Sequence, residues 1–166
     1  MIGKMYKLFR KQIDGFTKVE MPQYLSGEED YYAFVKKYTE MDFIQVIVNF
    51  QLMMELLKYY FYNRNGSVIG FELIEDDEEI SKDVNGIFNE MSLNKNRFSI
   101  LRRQLDVLME ESSMDIKGVS VKAAACDEVP SFITVQSNGI IYIEGSDLKK
   151  EEDNVKQIVE QFYENN

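Results

Sequence analysis

A chain of 166 residues, 45% apolar and 29% charged, is long enough to bury a core and too apolar for wholesale disorder. It has no histidine and a single cysteine, which excludes imidazole catalysis, histidine- or thiolate-held metals and an intramolecular disulfide. The net charge is −10 and unevenly placed: residues 1–74 hold nine basic and nine acidic side chains, residues 75–166 ten and twenty.

Affinity for a phosphate backbone comes chiefly from clustered Lys and Arg, so no direct nucleic-acid binding is expected. An acidic surface fits a basic partner protein or simple solubility. The lone thiol points to a reducing, cytoplasmic setting. Cys126 follows Ala123, Ala124 and Ala125 and reads as a small buried residue.

Met1–Ile13 is short, basic and amphipathic, with Ile2, Met5, Phe9 and Ile13 at helical spacing among Lys4, Lys7, Arg10 and Lys11. It reads as a helix or strand packed on the domain, the alternative being a helix (residues 1–13) that contacts a membrane surface or a partner. Asp14-Gly15 suggests a turn and Pro22 a loop. The chain is thus expected to form a single domain over residues 1–166, with residues 1–22 as a peripheral arm. Ser26-Gly27-Glu28-Glu29 has the form of a capping box, introducing a helix with Tyr31, Phe34, Val35 and Tyr38 on one stripe.

Phe43–Tyr62 is the most apolar run, yet Gln45, Asn49, Gln51, Glu55 and Lys58 are spread along it. A charge near the centre of a bilayer costs at least ~2.5 kcal/mol, which favours a core element over a membrane span. From Asp42 to Gln51 the pattern alternates like a strand; beyond Gln51 the polar residues recur like one face of a helix. One long buried helix is preferred to a strand followed by a helix, because Leu52–Leu57 are strong helix formers and neither Gly nor Pro interrupts.

Asn63-Arg64-Asn65-Gly66 is a stop signal. Ser67–Ile74 then reads as a strand in which Gly70 eases a bulge or close contact; a hairpin pairing Lys58–Tyr62 with Val68–Ile74 is the minor alternative. Glu75–Glu79 is a run of five carboxylates. It lacks the alternating ligands and glycine turn of a calcium loop, and it precedes Ile80, Val84, Ile87, Phe88 and Met91 at helical spacing. Asp76 with Glu79 is therefore expected to cap a helix. Ser92 or Asn94 caps the next, which carries Phe98, Leu101, Leu105 and Leu108. Its Arg102 and Arg103 fit a solvated face with intrahelical ion pairs better than a phosphate grip.

Gly118–Ala125, Phe132–Gln136 and Ile140–Glu144 read as strands, with Asn138-Gly139 as a tight hairpin turn and Pro130 in a connection. Ser146 or Asp147 caps a terminal helix with Leu148, Val155, Ile158, Val159, Phe162 and Tyr163 inward. The expected class is α+β: a helix-rich N-terminal half, a small mainly antiparallel sheet (strands near 67–74, 118–125, 132–136 and 140–144) and a C-terminal helix.

No phosphate loop, dinucleotide fingerprint or nucleophile elbow occurs, and no cofactor is expected. The pattern favours a non-catalytic protein of inhibitor, immunity or adaptor type that binds another protein. The candidate contacts are Tyr59, Tyr60 and Tyr62, since aromatic residues dominate binding hot spots, and the carboxylates Asp76, Asp77, Glu78 and Glu79. A carboxylate-dependent enzyme, with or without magnesium, is the alternative and needs two acids converging in a pocket. A nucleic-acid mimic ranks third, and a homodimer built through Phe43–Tyr62 is a further option.

Overall fold

A computed structural model describes residues 2–124 and 129–166; Cys126, expected to be buried, lies outside them. The described chain is α+β, with five helices and eight strands in two antiparallel sheets. In order these are β1 (Ile2–Lys7), β2 (Phe9–Ile13), β3 (Phe16–Glu20), α1 (Tyr31–Thr39), β4 (Ile44–Gln45), α2 (Phe50–Asn63) and β5 (Ser67–Leu73). Then follow α3 (Glu78–Leu93), a 3₁₀ turn (Lys95–Arg97), α4 (Phe98–Ser112), β6 (Ile116–Ala123), β7 (Ser131–Gln136), β8 (Ile140–Gly145) and α5 (Leu148–Glu164). The large sheet runs β1-β8-β7-β6-β5 and the small one β3-β2-β4. Alternation buries Val119, Val121, Ile133, Val135, Ile141 and Ile143 on one face of the large sheet, against which α2 and α5 pack.

The expected strands at 67–74, 132–136 and 140–144 are β5, β7 and β8, while β6 begins earlier than expected, at Ile116. A register shift between Val68 and Gly70 is the bulge that Gly70 suggested. The N-terminal half is less helical than expected, because Ile2–Ile13 is strand. β1 and β2 form one bent extended segment that leaves the large sheet for the small one at Leu8. There the Leu8 N–H donates to Gly139 O (2.9 Å) and Val46 N–H donates to Leu8 O (3.1 Å). The helical spacing of Ile2, Met5, Phe9 and Ile13 was a coincidence of composition; the partners that decide the matter, β8 and β3, lie elsewhere in the chain. Tyr6, Leu8, Phe9, Val19 and Met21 are buried. The segment that carries β1, β2 and β3 thus contributes Tyr6, Leu8, Val19 and Met21 to the core, which a peripheral arm would not.

Asp14 and Gly15 turn the β2–β3 hairpin with φ of 51° and 83°, the positive values a type I′ turn requires. The capping box at Ser26 does not form. Gly27 is left-handed, Glu29 reaches back to Leu25 N (3.0 Å), and Asp30 caps α1 by accepting from Ala33 N (3.3 Å).

The apolar centre is a strand and then a helix, not one long helix. β4 adds to the free edge of β2, and Asn49 starts α2 by accepting from Leu52 N at 2.9 Å. The β-branched residues before Asn49 had a strand edge to join, and a cap outweighs an uninterrupted helical propensity. α2 then buries Leu52, Met53, Met54, Leu56, Leu57, Tyr60 and Phe61. Its helical end rules out the hairpin of Lys58–Tyr62 with Val68–Ile74. The N–H groups of Arg64 (3.1 Å) and Gly66 (2.9 Å) both donate to Tyr60 O, with Asn65 left-handed between them.

Asp77, rather than Asp76 with Glu79, caps α3, accepting from Ile80 N at 3.0 Å. α4 has no side-chain cap; Ser92 instead accepts from Val68 N and donates to Phe88 O. Arg102 crosses to α2, donating to Glu55 (2.9 Å) and Gln51 (2.8 Å), so its pairing is interhelical and not intrahelical. Asp147 caps α5. Glu160 and Glu164 of α5 accept from the N–H groups of Val19 and Thr17, which satisfies the open edge of β3. No helix among the described residues is long and apolar enough to cross a membrane.

Candidate functional site

The N-terminus of α2, the β7–β8 turn and the paired ends of β5 and β6 enclose a cleft of about 430 Å³. Three hydrogen bonds set its walls, two between backbone groups and one to a side chain. Val48 N–H donates to Ser137 O (2.9 Å), holding the Ile47–Asn49 segment to the turn. Ile74 N–H donates to Asp115 O (3.0 Å), placing those two residues side by side. Asn138 Oδ1 accepts from Ile140 N (3.1 Å), which tightens the turn itself.

Beneath the turn, the fully buried ammonium of Lys7 donates to Asn138 O. No carboxylate among the described residues pairs with it, and desolvation lowers its pKa from 10.5 to about 8. Gly139 is confined as well. Its φ is 83°, and a Cβ there would lie 2.3 Å from Val46 O.

The floor of the cleft is apolar, from Val48, Phe50 and Ile116, and its rim carries Ile47 and Ile74, 61% and 56% exposed. Asp115, Asn49 and Asn138 are the polar members. The exposed carboxylates Glu75, Asp76, Asp77, Glu78 and Glu79 begin at the residue after Ile74. Phe50 and Asp115 also border a second hollow of about 290 Å³, to which α4 contributes Asp106 and Glu110. The cleft is therefore an apolar depression whose rim leads at Ile74 into the acidic run and whose Asp115 also lines the hollow with Asp106 and Glu110. Among the described residues no three carboxylates converge closely enough to hold a metal ion.

The two expected contact sets do not meet. Asp76, Asp77, Glu78 and Glu79 sit at the start of α3 beside the cleft, with Asp77 engaged as its cap. Tyr62 donates to Lys95 O (3.0 Å) beyond the far end of α3, about 24 Å away for a helix of 16 residues. Tyr60 is only 1% exposed, so it belongs to the core and offers no contact surface. Tyr59 is half-buried and packed on the same core. Burial raises the pKa of both the Tyr59 and the Tyr60 hydroxyl.

Ile47, Phe50, Ile74 and Asp115 were not singled out from the sequence. One signal was present: in the alternating stretch Ile47 falls between Gln45 and Asn49, on the side that should face water. Compared with protein-family models, curated proteins and solved structures, the chain matches none.

Proposed function

We propose that this is a non-catalytic binding protein of inhibitor, immunity or adaptor type, and that its cleft receives a basic segment of a partner protein. One observation carries the reading: two exposed isoleucines rim an apolar floor, and five exposed carboxylates begin at the residue after one of them. Burial of an apolar side chain between Ile47 and Ile74 supplies affinity, at about 25 cal/mol per Å² before the costs of association. The carboxylates of 75–79 with Asp106, Glu110 and Asp115 steer a basic approach and disfavour acidic competitors. A reducing, cytoplasmic setting is part of the same proposal, since the chain has one thiol.

An array of Lys/Arg-rich peptides, each with or without one Leu, Ile or Phe, tests this reading. Capture of the anchored peptides alone, weakening as salt rises, is the expected result. Equal capture of anchored and unanchored peptides would remove the role given to the cleft.

A carboxylate-dependent enzyme remains the second reading. It is favoured by the hollow that Asp106, Glu110 and Asp115 help to line. It requires a saturable magnesium or substrate response that Asp115→Asn abolishes; the binding proposal requires none.

A further inference from the structure

We propose that the outward face of α4 is a seam at which two copies of this chain associate about a two-fold axis. The helix buries Phe98, Leu101, Leu105 and Met109. The opposite stripe, which a monomer would fill with charge, instead carries Ile100 and Val107, 56% and 43% exposed. They lie in a shallow apolar groove of about 450 Å³ along with Arg103, Gln104, Leu108 and Glu111.

The charges on this stripe point to a second copy as the occupant. Arg103 lies four residues before Val107 and Glu111 four after it, so all three share one ridge of the helix. The other two arginines of this region are engaged, Arg97 by Glu90 and Arg102 by Glu55. Arg103 and Glu111 have no ion-pair partner among the described residues. At eight residues' separation they stand about 12 Å apart along the axis, too far to pair with each other.

An antiparallel second copy, turned about an axis at Val107, brings each Arg103 opposite Glu111 of the other copy. Val107 then meets its own image. The result is an isologous contact in which two identical ion pairs flank the Val107 pair, with Ile100 of each copy outside them, and symmetry supplies the complementarity without any other partner. In Phe43–Tyr62, the seam expected from the sequence, nine of the twenty residues are buried, seven of them on α2. A single helix pair falls short of the ~1,200 Å² of a stable interface, so the association expected is weak and concentration-dependent.

Sedimentation equilibrium of the full chain from about 10 to 500 μM tests the seam. The wild type should approach dimer mass. Arg103→Glu and Glu111→Arg should each weaken association about ten-fold, and the double variant should return it to within about three-fold of the wild type. Circular dichroism should be unchanged throughout, as both positions are at the surface. A monomer at every concentration overturns the proposal, as do single reversals without effect or a double variant that fails to recover.

Discussion

The buried ammonium of Lys7 donates to the carbonyl oxygen of Asn138, 131 residues further along the chain. Through it the last residue of β1 holds the underside of the turn whose outer side lines the cleft. The unfolded chain keeps the Lys7 proton up to a pKa of 10.5, whereas the folded chain releases it at about 8. Between those values the unfolded state binds more protons, so the Lys7 contribution makes stability rise with pH. Below pH 8 both states are protonated and the dependence disappears. Above pH 10 Tyr60, raised from 10.0 by burial, works in the opposite direction and makes stability fall. Urea midpoints from about pH 8 to 10 should rise more steeply in the wild type than in Lys7→Met, and equal slopes would contradict the assignment.

Gly15 and Gly139 share a φ of 83° but differ in their surroundings. A methyl on Gly15 meets nothing within 4 Å, so Gly15→Ala should cost only the left-handed penalty of about 1 kcal/mol. A methyl on Gly139 runs into Val46 O, so Gly139→Ala should cost about 3 kcal/mol or more. Chemical denaturation of the two variants side by side checks the contrast; equal costs would show that the turn does not press on the Val46 segment.

Arg64 and Glu151 form the most buried ion pair among the described residues, joining the end of α2 to the first turn of α5. Removing one partner strands a buried charge. Glu151→Ala should therefore lower stability by about 3–5 kcal/mol, and Arg64→Met combined with Glu151→Leu should recover most of it. A double variant as unstable as the single one would mean that the pair contributes packing and not charge compensation.

Exposed positions on the cleft rim should separate binding from folding. Ile47→Asp and Ile74→Asp should change stability by no more than about 0.5 kcal/mol. Each should weaken capture of an anchored basic peptide about ten-fold or more, since the charge is placed against the apolar anchor. Fluorescence anisotropy alongside thermal melts reads both quantities.

What was legible in the sequence is what neighbouring residues decide. Asn138-Gly139 made its hairpin, Asn65-Gly66 ended α2 and Asp147 opened α5, because each depends on residues a few positions away. β1, β2 and β4 were obscured, since their edges are completed by β8, β3 and each other across the chain. The site divides the same way. The acidic run is contiguous and could be read directly. Ile47, Ile74 and Asp115 come together only through the pairing of Val48 with Ser137 and of Ile74 with Asp115. Tyr60 looked like contact material because its ring is large, but one turn of α2 directs it into the core.

Nitrogen–proton correlation spectra of the 166-residue chain, titrated with the anchored basic peptide that the array retains best, address the binding reading most directly. Shifts should concentrate at Ile47, Asn49, Ile74, Asp115 and Asn138 and along residues 75–79, with little change around Tyr59, Tyr60 and Tyr62. Shifts that avoid the α2 N-terminus, or that spread evenly over every acidic residue, would contradict that reading.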